Sequence, residues 1–231
     1  MFFHTLARTE FAIEVEEMWS LTEELIFRIV FWLLVVLLLL IRGISVLKVR
    51  KEGERFMPDK KAVEREGKTI YTIRVVSFVS LLAFLVFYSV YPPLPWIEML
   101  SIPLPTWLRW TGSIGGLASL TLWAWAQMSL GKEWSPQLQL RRKHRLVTVG
   151  PYKRIRHPIY TAMLGWGISV AVLTANWFFV FLAVFMIAFL MRRAPIEEKM
   201  MIEEFGEEYR EYMRSTGRFF PKIHRYAERT E

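Results

Sequence analysis

Cysteine is absent from this chain of 231 residues, and histidine occurs only four times. Without cysteine the protein has no disulfide, no thiolate zinc site and no cysteine nucleophile. The histidines show no helical or hairpin ligand spacing with a carboxylate, so we predict no metal site. Solenoid repeats, low-complexity tracts and a G-x-G-x-x-G nucleotide fingerprint are also absent. No linker divides the sequence, so residues 1–231 are expected to form a single domain embedded in a membrane.

Apolar residues, in contrast, are abundant. The sequence is 53% hydrophobic, contains ten tryptophans and has a mean hydropathy of +0.25. This is too much apolar and interfacial surface for a soluble domain of this size, and it predicts an integral membrane protein. The N-terminus lacks the charged stretch, short apolar core and small-residue cleavage site of a signal peptide, so the first apolar segment is expected to stay in the membrane.

Four apolar runs define the predicted architecture. Residues 25–47, 71–91 and 107–130 can each span a bilayer, which takes about 20 residues. The fourth run, 157–191, is too long for one span. Its interruption at residues 174–176 favours a tight helical hairpin of residues 157–174 and 177–191. The predicted fold class is therefore an all-α integral membrane protein with about five transmembrane helices, the last two forming a hairpin.

The net charge of +8 is explained by membrane topology. Residues 48–68, residues 132–156 and the tail after Met191 are rich in lysine and arginine, whereas residues 92–106 contain neither. The positive-inside rule then predicts a cytosolic C-terminus and an N-terminus outside or in a lumen. We expect the partner of this charge to be the lipid bilayer rather than nucleic acid. The membrane would be the plasma membrane in a prokaryote and the endoplasmic reticulum in a eukaryote.

Four arginines fall within or beside apolar runs, namely Arg28, Arg42, Arg74 and Arg109, and of these Arg42 and Arg74 are expected to reach the cytosolic surface. Arg109 is expected to reach the non-cytosolic surface, while Arg28, near the end of its helix, has a less obvious explanation.

The tail after the last span has the pattern of an amphipathic cytosolic helix. Pro195 is expected in its first turn, which predicts a break after the span, and Gly217 is placed to end it. Arg193 and Glu197 lie four residues apart, and an ordinary surface ion pair is the simplest interpretation. The apolar residues that recur at helical spacing are Ile196, Met200, Met201, Phe205, Tyr209, Tyr212 and Met213.

The segment richest in chemistry is HRLVTVGPYKRIRHPIY, residues 144–160. Gly150 opens a turn where backbone groups can approach a ligand closely. Arg156, His157 and Tyr160 stand where the chain re-enters apolar surroundings, a costly place for charge without a function. Simpler interpretations stay open: the histidines as a helix cap and a solvated loop residue, and the tyrosines as interfacial aromatics.

The combination of GPYKRIRHPIY, a helical hairpin and RRAPIEEKMMIEEFGEEYREYMRSTGRFFP resembles the isoprenylcysteine carboxyl methyltransferase family, whose relatives include phospholipid N-methyltransferases. This resemblance implies S-adenosylmethionine as the methyl donor and S-adenosylhomocysteine as the product. The cofactor would be bound at the cytosolic face by residues 132–160 and 192–221. The methyl acceptor would be lipophilic, foremost the carboxylate of a prenylated cysteine, and would arrive from the bilayer.

The resemblance also implies roles for individual residues. Arg193 and Glu197 would act catalytically, with the arginine nearest to the acceptor. A carboxylate acceptor is already ionised at neutral pH, so an arginine that orients both oxygens would suffice. Ala162, where many relatives have glycine, and the Ala194-Pro195 pair depart from the family pattern. The implied cofactor-binding residues are His144, Leu146, Val147, Gly150, Tyr152, Arg156, His157, Tyr160 and Glu198, although which of the two adjacent glutamates contacts the cofactor stays open.

Three alternatives remain. A phospholipid amine methyltransferase would share the cofactor, but its acceptor must first lose a proton, so it would need a base such as Glu197. Sterol-type reductases, which use NADPH, carry a similar Arg-His-Pro-x-Tyr stretch, although this chain is short for that class. The third alternative is a non-catalytic membrane adaptor.

Overall fold

The computed structural model of the protein describes residues 2–51, scattered positions between residues 72 and 88, and residues 95–131 and 146–222. Within these ranges every regular element is a helix, which confirms the all-α prediction for this part of the chain. The helices are α1 (Phe2–Lys51), α2 (Pro95–Glu98), α3 (Thr106–Leu130), a 3-10 helix (Gly150–Lys153), α4 (Pro158–Thr174), α5 (Trp177–Phe205) and α6 (Glu207–Ser215). The predicted span at 71–91 lies largely outside the described residues, and the positions described there are helical.

Two of the described helices are long and apolar enough to cross a membrane, namely Leu21–Leu47 within α1 and Trp177–Phe205, which is α5. A core helix of a soluble protein would be mostly buried. In these two helices, however, only 28% and 22% of the most apolar window is buried. Their outward faces carry large apolar side chains such as Leu39 and Phe181, which suits contact with lipid. The count of five spans stays a prediction.

Small residues let α3 and α4 pack closely. An added methyl group at Gly112 would collide with the backbone of α4 at Leu173, and one at Gly165 would meet the hydroxyl of Ser119. Close packing of this kind is typical of helix pairs in membranes, where small residues allow the backbones to approach. These contacts pair the start of α3 with the end of α4, so the two helices run antiparallel.

The helix α1 runs parallel to α3. Phe27 contacts Trp110 near one end, with ring centroids 5.2 Å apart, and Ser45 hydrogen-bonds to Gln127 near the other, at 2.8 Å. The C-terminal ends of α1 and α3 therefore meet the N-terminal end of α4 at one end of the bundle. This end will be called the site end.

The turn between α4 and α5 forms the predicted hairpin. Ala175 adopts a left-handed conformation with φ of 47°, and the Asn176 side chain caps α5 by accepting a 2.9 Å hydrogen bond from the Phe178 N–H. The chain before α3 covers this turn, since the Trp177 N–H donates to the Leu100 carbonyl at 2.8 Å. The turn lies at the end of the bundle opposite the site end.

The predicted break at Pro195 is wrong, because α5 continues through it to Phe205. Pro195 itself is exposed, while Ala194 and Glu198 beside it are buried. Packing on both sides thus holds the helix together across the hydrogen bond that proline cannot make. The predicted tail helix is instead divided at Gly206, which has φ of 56°.

The helix α6 finishes at Ser215 with Thr216 as its C-cap, so the tail helix ends just before Gly217, as predicted. Gly217 itself pairs with Ile155 in an isolated parallel bridge. An added methyl group there would collide with the Phe220 carbonyl oxygen.

Arg109 turns into the bundle rather than reaching out from it, contrary to expectation. Its Nε donates to the Leu173 carbonyl at the C-terminal end of α4, at 2.9 Å, and its Nη1 contacts Glu24 at 2.8 Å. Arg28 is buried too, and donates to the Tyr88 carbonyl at 2.8 Å. Both arginines therefore join helices at the end opposite the site end.

Candidate functional site

The site begins with the turn before α4, where Gly150 has φ of 60°. A side chain at this position would collide with Ser129 and approach Trp125, both on α3, so only glycine fits. The turn leads into the 3-10 helix and buries Tyr152, whose carbonyl accepts a 2.6 Å hydrogen bond from the Tyr212 hydroxyl. This contact ties the turn to α6.

Of the other predicted loop residues, Leu146 and Val147 are half-buried in the extended chain leading to this turn. His144 lies outside the described residues.

Residues 216–222, which we call the C-terminal strap, pair with the segment entering α4. The Arg156 N–H donates to the Gly217 carbonyl at 2.8 Å, and the His157 N–H donates to the Arg218 carbonyl at 3.0 Å. Two segments about 60 residues apart in sequence are thus held edge to edge. The strap thereby fixes the backbone of Arg156 and His157, which belong to the segment 144–160 identified from the sequence.

Glu198 is the centre of a buried ionic cluster at this junction. Its Oε1 accepts from Arg156 Nε at 2.9 Å and lies 3.4 Å from His157 Nε2. Arg218 binds the same carboxylate with two nitrogens, its Nε lying 3.1 Å from each oxygen. The Glu198 side chain is 4% exposed, so this charge is compensated in an environment with little water.

A second hydrogen-bonded network involves Glu197, the residue before Glu198 on α5. Arg193 Nε donates to the Tyr160 hydroxyl at 2.9 Å, and that hydroxyl donates to the Glu197 carboxylate. The ring of Tyr160 stacks on His157, with centroids 5.1 Å apart and planes 10° from parallel. The tyrosine therefore links the glutamate and arginine that sequence spacing alone suggested as a surface pair.

Three tyrosines at the site end, Tyr152, Tyr209 and Tyr212, stay neutral over the physiological pH range because their pKa values are raised. Burial raises the pKa of Tyr152 well above its usual value, and the nearby Glu197 carboxylate raises it further. Burial also raises the pKa of Tyr209, and it raises that of Tyr212 to about 12 although Arg156 opposes the change. These residues can donate hydrogen bonds but will not act as bases near neutral pH.

The structure brings most of the predicted residues together at the site end and separates the two glutamates by partner. Glu197 is hydrogen-bonded to Tyr160, which also binds Arg193, whereas Glu198 belongs to the ionic cluster with Arg156. Sequence reasoning missed Arg218 as well as the tyrosines of α6. The only available signal was the TGRFFP segment, which gave no indication of what it would contact.

For metal binding, the described ranges contain no group of three or more histidine or acidic side chains able to hold an ion.

Comparison with known proteins finds a family similarity that includes α4 and most of α5. Residues 116–203 match the isoprenylcysteine carboxyl methyltransferase (ICMT) family. The resemblance to this family is thereby confirmed. The matched region contains Arg156, His157, Tyr160, Arg193 and both glutamates but stops before α6 and the C-terminal strap, and so leaves out Arg218.

Individual relatives carry the same name. The chain is 33% identical over 90 residues to protein-S-isoprenylcysteine O-methyltransferase B of Arabidopsis thaliana, covering 38% of this chain and 46% of that protein. It is 32% identical over 131 residues to the Homo sapiens protein-S-isoprenylcysteine O-methyltransferase, covering 55% of this chain and 45% of that protein. The chain spans roughly half the length of the curated relatives it matches.

A solved structure of a eukaryotic intramembrane Ras methyltransferase, ICMT, matches with a TM-score of 0.45 and 24% identity, covering 66% of this chain and 52% of that one. This similarity is too low to carry an argument.

Proposed function

We propose that this protein transfers a methyl group from S-adenosylmethionine to the carboxylate of a prenylated cysteine at a membrane surface. The observation that carries the proposal is the site end itself. The family match covers residues 116–203, and within that range the fold gathers Arg156, His157, Tyr160 and the glutamate pair. The relatives' names supply the reaction and the substrate class.

The residues of the site suit the proposed cofactor chemically. Its amino-acid part carries a carboxylate and an ammonium, and its reactive sulfur is a cation. Guanidinium groups and carboxylates both occur here, with Arg218 bound directly to Glu198, and with Arg193 joined to Glu197 through the Tyr160 hydroxyl. Both signs of charge are thus available around Glu198, whose side chain is 4% exposed, while Arg218 is open to solvent on one side.

When bound, S-adenosylmethionine supplies a methyl group on a sulfonium, ready for in-line displacement. The protein's share is alignment, because a carboxylate acceptor is already ionised near neutral pH. Arg193 has the shape to hold both oxygens of such a carboxylate, and the Tyr160 hydroxyl, itself bound to Glu197, fixes the direction of its Nε. Arg193 therefore orients the acceptor, and Tyr160 positions Arg193.

We further propose that the chain crosses the membrane five times with the site end in the cytosol. The parallel course of α1 and α3 supports this count, since two helices can run parallel in neighbouring positions if one span returns between them. In the sequence, the basic residues at 48–68 and 132–156 come at or after the C-terminal ends of α1 and α3, and those two helix ends lie at the site end. Apolar outward faces on α1 and α5 would let a prenyl chain approach through the bilayer.

The first test is calorimetric titration of detergent-purified protein with S-adenosylhomocysteine, with NADPH as the parallel ligand. We expect saturable binding of S-adenosylhomocysteine only. Binding of NADPH alone would instead indicate a reductase, and binding of neither by folded protein would indicate an adaptor.

Acceptor identity is tested with labelled S-adenosylmethionine. We expect label to enter an S-farnesylated cysteine with an unblocked carboxylate but not its methyl ester. The variant Arg193→Gln should lose transfer, while Arg192→Gln, at the exposed neighbouring position, should retain it. Transfer to phosphatidylethanolamine in place of the farnesylated cysteine would show that the acceptor is an amine.

A further inference from the structure

We propose that Arg218, in the C-terminal strap, binds the carboxylate of the cofactor's amino-acid part. This inference rests on the proposed function and deepens it, since Arg218 lies outside the region matched by the family. From the sequence, Arg156 was the arginine expected among the cofactor-binding residues. The structure separates the two arginines by their exposure and by what their nitrogens already bind.

Arg156 is committed to the protein. Its Nε is bound to Glu198, and its Nη1 donates to the carbonyls of Met213 and Thr216. Its side chain is 8% exposed. A guanidinium held in this way fastens the end of α6 to α5, and it has little surface left for a ligand.

Arg218 is available on one side. Its Nε and Nη2 bind Glu198, while its Nη1 donates to no acceptor in the described part of the chain. The side chain is 38% exposed, more than four times the exposed fraction of Arg156. Arg218 can therefore keep its contact with Glu198 and still bind an anion through Nη1.

The charge of the cluster points to the same ligand chemistry. Arg156 and Arg218 face one carboxylate, that of Glu198, so the ionic pairs leave one positive charge uncompensated. An uncompensated guanidinium beside this buried pair favours a bound anion. A carboxylate bound beside Arg218 would neutralise the cluster.

The strap also holds Arg218 in place before any ligand arrives. The Arg218 carbonyl accepts from the His157 N–H at 3.0 Å, and the next carbonyl, that of Phe219, accepts from the Thr161 hydroxyl at 2.7 Å. On the other side Gly217 is held by its bridge to Ile155. The backbone of Arg218 is thus fixed, and its Nε and Nη2 are held by Glu198, so the side chain loses little conformational entropy on binding, which favours a specific contact.

The test compares two ligands by calorimetry on the full-length protein in detergent. One is S-adenosylhomocysteine, and the other is its decarboxylated analogue, which keeps the amine. Loss of a charge-assisted contact typically weakens affinity roughly 10- to 100-fold. We expect Arg218→Gln to weaken S-adenosylhomocysteine by about that factor and the analogue by less than about twofold. Arg218→Lys, which keeps the charge but not the fork, should fall between Arg218→Gln and wild type.

The matched control is Arg214→Gln, on the exposed face of α6, where the side chain is 61% exposed and contacts Glu207 and Glu211. It should change neither affinity. Equal weakening of both ligands by Arg218→Gln would mean that Arg218 only supports the strap, and an unchanged affinity would mean that it does not contact the ligand. Either result overturns the inference while leaving the proposed function intact. Failure of the wild-type protein to bind S-adenosylhomocysteine would overturn the proposed function, and the inference with it.

Discussion

Replacing Glu198 with glutamine would remove the charge on which Arg156, His157 and Arg218 converge. Breaking a buried ion pair by removing one partner typically costs about 3–5 kcal/mol, because the other charge stays buried without compensation. Arg156 is 8% exposed and will bear most of this cost, whereas Arg218, at 38%, can turn toward water. We therefore expect the lower end, a loss of about 3 kcal/mol in the free energy of unfolding.

The assay is thermal unfolding of the purified protein in detergent. For a chain of this size each kcal/mol shifts the midpoint by roughly 2–4 °C, so Glu198→Gln should unfold roughly 6–12 °C below wild type. Glu203→Gln is the matched control, because it makes the same chemical change on the same helix at an exposed position. A midpoint for Glu198→Gln within about 2 °C of the control would refute the reasoning, since it would mean that water already compensates the charges.

The remaining predictions concern transfer, packing and pH. Tyr160→Phe removes the hydroxyl between Arg193 and Glu197. It should slow methyl transfer roughly tenfold or more and change S-adenosylhomocysteine affinity by less than about twofold. Equal losses in rate and affinity would contradict a positioning role. Gly217→Ala should lower the free energy of unfolding by about 1–3 kcal/mol through a clash with the strap backbone. Gly43→Ala, whose added methyl group meets nothing within 4 Å, should be neutral or slightly stabilising. Similar unfolding midpoints for the two variants would show that the strap rearranges without loss of stability. The stability contributed by Tyr212 should be fully present below pH 10 and be lost as pH rises toward about 12, because its pKa is raised in the folded protein. In Tyr212→Phe, the loss of stability between these pH values should be smaller than in wild type. A stability profile in alkaline solution identical to that of wild type would contradict the prediction.

The sequence predicted helix boundaries well where neighbouring residues in the sequence set them. The apolar run at 107–130 became α3 almost residue for residue, and the interruption at 174–176 became the turn of the hairpin. Pro195 misled because its local effect is to break a helix. Buried neighbours on both sides outweighed that effect, and no local pattern in the sequence reveals their burial.

Contacts between distant parts of the sequence account for the other differences between the predictions and the structure. Arg109 was expected to reach the surface because a single helix offers a charge no other partner. The folded bundle places the end of α4 and Glu24 within its reach. Arg218 gave no signal for the same reason, since it lies in the strap and its partner Glu198 lies 20 residues away on α5.

The sequence by itself determined the apolar helices, the hairpin and the residue types of the site, because these depend on composition and on spacing along one helix or turn. The tertiary structure alone decided that Glu197 serves Tyr160 and Glu198 serves the arginines, and that Arg218 rather than Arg156 keeps an exposed face. Adjacent residues on a helix point about 100° apart, so which partner each one meets depends on the elements packed around it. Those elements come from distant parts of the chain, and only folding brings them together.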